Sequence, residues 1–136
     1  MMKAKQLTEG SAETLYHFAF MHYKQGKYQE AVGLFRILTM AHIKNRRYWM
    51  GLGAALQMQK EYGQAIEAYE LAAALDPVDP RVHLHAADCF FAQKKQKEGL
   101  FALDCAERAL KQQKVPDQNL SAHIKLIRQA WNKKED

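Results

Sequence analysis

Small and large apolar residues alternate along this chain with a period of 34 residues. Two positions of the period hold a small residue in every copy: Ala19, Gly53 and Ala87 at one, and Ala31, Ala65 and Gly99 at the other. A bulky apolar residue follows each member of the second set, at Phe35, Tyr69 and Leu103. Because small side chains let neighbouring helices approach closely, this period predicts a repeat of paired antiparallel helices.

The period divides most of the chain into three repeats, at 12–45, 46–79 and 80–113. Their paired helices are predicted at about 12–25 and 28–41, 46–59 and 62–75, and 80–93 and 96–112. A last helix is predicted over 118–133 from a stripe of apolar residues at helical spacing, namely Leu120, Ile124, Ile127 and Trp131.

We expect this last helix to cap the open end of the array, because an exposed terminal repeat needs a polar cover. Residues 1–10 are interpreted as a short N-terminal extension, and residues 11–136 as a single repeat domain. An extension this short and polar is expected to leave the face of the first repeat partly uncovered.

The second repeat carries the clearest motif, with Trp49-x-x-Leu-Gly53, then Tyr62-x-x-Ala65, and finally Asp76-Pro77. This pattern resembles the tetratricopeptide repeat. The resemblance implies an all-α fold, an α-solenoid of three helix pairs plus a capping helix, in which the first helices line a concave groove.

The composition suits a compact helical protein, since 48% of the 136 residues are apolar. The formal net charge of +5 is spread over short basic runs near predicted turns, which favours solvated helix ends over a nucleic-acid surface. No apolar run approaches the roughly 18 residues of a membrane span. The sequence therefore predicts a soluble cytoplasmic protein without membrane insertion, in which Cys89 and Cys105 are reduced packing residues.

No catalytic motif stands out in the sequence. It contains no glycine-rich phosphate loop, no His-Glu-x-x-His, no Cys-x-x-Cys and no nucleophile elbow. The six histidines are scattered, and His83 and His85 are spaced to point in different directions on a helix. We therefore expect no enzyme activity, no cofactor and no metal site.

A row of aromatic residues on the first helix is the strongest candidate for a binding site. Tyr16, Phe20 and Tyr23 are separated by four and then three residues, so they share one helix face. We expect the core of this repeat to come from other residues: Leu15, Phe18, Ala19, Phe35 and Leu38. Equivalent positions in the later repeats extend the predicted peptide groove with Arg47, Met50, Ala54, Gln57, Leu84, Asp88 and Phe91. Packing of the row against an N-terminal segment or another subunit is the alternative interpretation.

The first repeat, from Leu15-Tyr16-His-Phe-Ala-Phe20 to Gly26-Lys-Tyr28-x-x-Ala31, resembles that of the class II chaperones of bacterial type III secretion systems. Gly51-Leu-Gly-Ala-Ala and Pro80-Arg81-x-x-x-His85-Ala-Ala-Asp-Cys89 extend the resemblance into the later repeats. It implies a cytoplasmic bacterial chaperone that holds hydrophobic, pore-forming translocator proteins before export.

The same resemblance also implies which ligand is bound and which residues form the sockets for its side chains. It implies that an extended translocator segment with a Pro-x-Leu-x-x-Pro-like motif is bound, with Tyr16, Phe20 and Tyr23 as its sockets. Members of the family commonly dimerise through a longer N-terminal helical region, so a homodimer is a further candidate assembly.

Two other binding functions are considered. A general repeat adaptor with a carboxylate clamp would need Lys and Asn where Tyr16 and Phe20 stand, and Asp88 would repel a carboxylate. A chaperone or co-chaperone of a secretion needle subunit would hold an amphipathic helix instead of an extended segment. The bound conformation of the ligand separates this last hypothesis from the translocator chaperone.

Overall fold

The computed structural model describes residues 7–133, which form seven α-helices and no strand. The helices are α1 Glu9–Lys24, α2 Tyr28–Ala41, α3 Arg46–Met58, α4 Tyr62–Leu75, α5 Pro80–Ala92, α6 Gln96–Lys111 and α7 Gln118–Lys133. The prediction of three helix pairs and one further C-terminal helix is confirmed. None of the described helices is both long enough and apolar enough to cross a membrane.

Side-chain caps explain where several helices begin. The Thr8 hydroxyl accepts a hydrogen bond from the Ser11 amide at 3.1 Å, so α1 begins at Glu9 and not at the predicted residue 12. Asn45 and Asp79 cap α3 and α5 in the same way, each accepting from an amide two residues on at 3.0 Å. Gly26, with φ +79°, closes α1 in the left-handed conformation that glycine adopts without strain. Residues 1–6 of the predicted extension lie outside the described part of the chain.

The helices form two compact units that divide between Leu75 and Asp76. The N-terminal unit contains α1–α4, and its largest buried side chains are Phe35, Leu38, Tyr48 and Tyr69. The C-terminal unit contains α5–α7 around a core of Leu84, Ala87, Phe91, Leu103, Ala106, Leu110 and Ile124. The single domain expected over residues 11–136 stays a prediction.

Helix α7 covers one face of the C-terminal unit. Ile124 is fully buried, and Leu120, Ile127 and Trp131 pack against the same core. On its polar side, Arg128 forms ion pairs with Asp104 and Glu107 of α6, at 2.8 and 3.0 Å. The predicted capping stripe is therefore the packed face of α7.

Phe18 does not belong to the core, contrary to the sequence-based expectation. Half of its surface is exposed, and it lines a shallow apolar groove with Leu15, Leu34 and Ile37. These side chains form the face of the α1–α2 pair that a preceding helix pair would cover, and no helix of the described residues covers it. The open face expected for the first repeat is thus present in the described part of the chain.

The two cysteines are both free thiols. Burial, followed by the nearby Asp88 carboxylate, raises the pKa of Cys89 to about 12, so this thiol stays protonated at neutral pH. Cys105 is half-buried on α6.

Aromatic rings lie directly over three glycines of the second and third repeats. A Cβ atom on Gly53 would come within 2.6 Å of the Tyr69 ring, and one on Gly51 or Gly99 would overlap Phe35 or Phe91. The close approach needed by these rings explains why small residues recur at Gly53 and Gly99.

Two glycine substitutions should therefore have opposite effects on stability. Gly33→Ala should raise the free energy of unfolding by about 0.5–1 kcal/mol, because Gly33 lies within α2 and a Cβ there meets open space. Gly51→Ala should lower it by about 1–3 kcal/mol, because the buried Phe35 ring would have to move. Urea unfolding followed by far-UV circular dichroism measures both changes in the free energy of unfolding. Stabilisation by Gly51→Ala would show that the Phe35 ring can move aside without loss of stability.

Candidate peptide-binding site

Helix α1 places three aromatic rings side by side, and we call Tyr16, Phe20 and Tyr23 the aromatic row. The ring centroids of Tyr16 and Phe20 are 6.2 Å apart at an interplanar angle of 16°. Those of Phe20 and Tyr23 are 6.3 Å apart at 21°. The ring of Tyr28 from α2 meets Tyr23 edge-on at 5.6 Å and ends the row.

The three rings differ in how they are held. Tyr16 is half-buried against Phe35 and Tyr48, at centroid distances of 6.0 and 5.5 Å. We expected the core of the first repeat to form without the aromatic row, and this expectation is wrong for Tyr16, whose ring packs against two buried core rings. Phe20 is 39% exposed, and Tyr23 is half-buried, with its pKa raised by burial and then by Tyr28. The row thus combines an anchored ring with an open one.

A charged cluster lies at the Tyr16 end of the row. The Arg47 guanidinium carbon is 4.4 Å from the Tyr16 ring centroid, and its two terminal nitrogens contact the Glu13 carboxylate at 3.4 Å each. The Tyr48 hydroxyl donates to the same carboxylate at 3.2 Å. Although burial lowers the pKa of Arg47, its contacts with Tyr16 and Glu13 outweigh that effect and raise it. Glu13 therefore holds Arg47 on the face of Tyr16.

Glu13 and Tyr48 were missed by the sequence reasoning. Glu13 occupies the first-repeat position equivalent to Arg47, 34 residues earlier. The 34-residue period could therefore have identified Glu13 as a candidate groove residue. The contact of Tyr48 with Glu13 depends on how α3 packs against α1, and no local sequence pattern predicts it.

The predicted α3 residues lie on one face of that helix. Met50, Ala54 and Gln57 are all half-buried. Gln57 Oε1 accepts a hydrogen bond from the Tyr69 hydroxyl at 2.7 Å, so its amide oxygen is already hydrogen-bonded within the N-terminal unit. Met50 and Ala54 remain as partly open apolar positions on the helix that carries Arg47.

Two residues predicted to line the groove are instead core residues of the C-terminal unit. Leu84 is 7% exposed and Phe91 is 5% exposed. Phe91 stacks on Trp131 of α7, with centroids 4.5 Å apart at 11°. The physical reason is that α7 packs on the face that would otherwise be open, so neither side chain is accessible to a peptide.

Asp88 is the remaining predicted groove residue of the third repeat, and it is half-buried. Burial raises the pKa of this carboxyl group, and the nearby His85 and His123 partly oppose that shift. Burial also disfavours the charged form of His85, and it therefore lowers the pKa of this imidazole. Within residues 7–133, no group of three or more His, Cys, Asp or Glu side chains is placed to hold a metal ion.

Comparison with known proteins gives a consistent result. A family model described as tetratricopeptide repeat matches residues 12–45 and 48–79. Low calcium response locus protein H of Yersinia pestis is 29% identical over 131 residues, covering 96% of this chain and 77% of that protein.

Solved structures extend the comparison to three dimensions. The type III secretion translocator chaperone SycD of Yersinia enterocolitica, in an alternative dimer, superposes with a TM-score of 0.88 at 30% identity, over 96% of this chain and 98% of that one. PcrH, known from Pseudomonas aeruginosa, superposes in its complex with the chaperone-binding region of PopD with a TM-score of 0.90 at 29% identity, over 97% and 98% of the two chains.

Proposed function

Since the chain belongs to the class II, translocator-binding chaperones of bacterial type III secretion systems, we propose that it holds a hydrophobic translocator protein before export. The family is one of repeat scaffolds and not a class of enzymes. Accordingly, the proposed role is binding without catalysis, in the bacterial cytoplasm. The homodimer stays a prediction.

The aromatic row is the observation that carries this proposal. Alternate side chains of an extended peptide are about 6.6 Å apart, and the ring centroids of the row are spaced by 6.2 and 6.3 Å. Neighbouring sockets of this spacing accommodate the Pro and Leu of a Pro-x-Leu-x-x-Pro segment. The solved complex of PcrH with the chaperone-binding region of PopD supports the binding of a segment of another protein by a scaffold of this kind.

Arg47, Met50 and Ala54 on α3 are proposed to contact the other side of the bound segment. Arg47 already contacts the row through Tyr16, which fixes this face of α3 beside it. Leu84 and Phe91 are left out of the proposed site because both are core residues of the C-terminal unit, and the polar contact expected from Asp88 of that unit stays a prediction.

The expected affinity follows from the number of sockets. Each buried apolar anchor contributes about 1.5–3 kcal/mol, and ordering a flexible segment offsets part of that gain. Two or three anchors are thus consistent with micromolar binding. Covering an aggregation-prone segment in this way keeps the translocator unassembled.

Fluorescence anisotropy with a labelled Pro-x-Leu-x-x-Pro peptide tests the proposal. The full chain should bind it saturably at micromolar concentration and should not bind a scrambled peptide. A peptide with both prolines replaced by alanine should bind more weakly, because proline holds the segment extended. Preference for an amphipathic helical peptide would favour the needle-subunit alternative, and absence of binding by the folded chain would overturn the proposal.

A further inference from the structure

Two positively charged side chains lie over rings of the aromatic row. The Arg47 guanidinium covers Tyr16, and Lys24 Nζ lies 4.8 Å from the centroid of Phe20. Both cations are exposed and belong to different helices, α3 and α1. A segment that covers the row must therefore pass next to both charges.

The two cations differ in their charge balance. The side chain of Arg47 is paired with the carboxylate of Glu13 at 3.4 Å. No ion pair among the described residues joins Lys24 to a carboxylate. The row is consequently close to neutral at its Tyr16 end and positive where Lys24 lies over Phe20.

The end of α1 does not cancel this charge. Backbone amides of Gln25, Gly26 and Lys27 donate to carbonyls of the last turn at 2.9–3.1 Å. Helix C-terminal carbonyls attract cations chiefly through their unsatisfied acceptors. Because these carbonyls already accept hydrogen bonds, the Lys24 ammonium keeps donors for an incoming group.

Resting on the proposed function, we propose that Lys24 selects translocator segments that carry an acidic side chain next to the apolar anchor at the Phe20–Tyr23 end of the row. A bound segment covers Phe20 and removes water from around the ammonium, which strengthens its attraction for a carboxylate. A basic side chain at that place meets repulsion. Lys24 thereby gives an apolar site a charge preference.

A charge series of peptides tests this inference. Peptides with the same Pro-x-Leu-x-x-Pro anchors carry Glu, Gln or Lys on either flank of the motif or at its internal x positions, and their dissociation constants are measured by anisotropy. At one position of the series, Glu should bind about two- to fivefold tighter than Gln, and Lys weaker than Gln by a similar factor. This spread should shrink as salt is raised, because surface charges are then screened.

Variants of the chain assign the effect to Lys24. Lys24→Met keeps the aliphatic stem over Phe20 and should bind the Gln peptide normally while losing the difference between Glu and Gln. Lys24→Arg should restore that difference. Lys97→Met, a control that removes one exposed cation from α6 of the C-terminal unit, should leave it unchanged.

The outcomes separate the inference from the proposed function. Equal binding of all charge variants by the wild-type chain would overturn the charge preference and leave the peptide site intact. A preference that survives in Lys24→Met would overturn the role of Lys24. Failure of every peptide to bind would instead contradict the proposed function itself.

Discussion

Phe20→Ala is expected to weaken binding of the translocator peptide strongly while the protein stays folded. Phe20 is the middle ring of the aromatic row and stacks on both neighbours, so its truncation opens two sockets at once. Truncating a central aromatic anchor of this kind to alanine typically costs about 2 kcal/mol or more of binding free energy. That corresponds to a loss of about thirtyfold or more in affinity.

The fold should tolerate this change, because Phe20 is 39% exposed and lies outside the buried core. Thermal unfolding followed by circular dichroism checks that point alongside the anisotropy titration. Phe101→Ala is the matched control: Phe101 is a 64% exposed phenylalanine of the C-terminal unit, and its loss should leave peptide binding unchanged. Binding by Phe20→Ala within threefold of the wild type would remove the aromatic row from the proposed site.

Phe35→Ala is expected to cause the largest loss of stability. The Phe35 ring is 1% exposed, contacts Tyr16 edge-on and lies over Gly51. Removing a buried phenylalanine side chain costs about 3–5 kcal/mol, a large part of the 5–15 kcal/mol typical of a folded domain. Tyr16 loses a supporting ring as well, so peptide affinity should also fall at temperatures where the variant remains folded.

Urea unfolding of Phe35→Ala and of Ile37→Ala measures this effect against an exposed apolar residue of the same helix. A double variant sharpens the interpretation: the penalty expected for Gly51→Ala should vanish when Phe35 is already alanine, because the clash no longer exists. Similar losses for Phe35→Ala and Ile37→Ala, or additive effects of the Phe35 and Gly51 substitutions, would show that this packing is not specific.

The candidate site illustrates which contacts are local. The aromatic row follows from the spacing of Tyr16, Phe20 and Tyr23 on one helix. Lys24 over Phe20 is also a local contact, four residues apart, and could have been inferred from the sequence. By contrast, the meeting of Glu13 with Arg47 and Tyr48 joins residues 34 and 35 positions apart, and it depends on α1 packing beside α3.

The sequence by itself determined the helix pairs and the register of small residues, because these depend on neighbours a few residues away and on a repeated pattern. Only the tertiary structure decided which equivalent positions are open. Phe18 occupies a position expected in the core, yet no described helix covers it, whereas Phe91 occupies a position expected in the groove and lies under Trp131. Burial depends on what packs against a face, and the first and last repeats have different neighbours from an internal one.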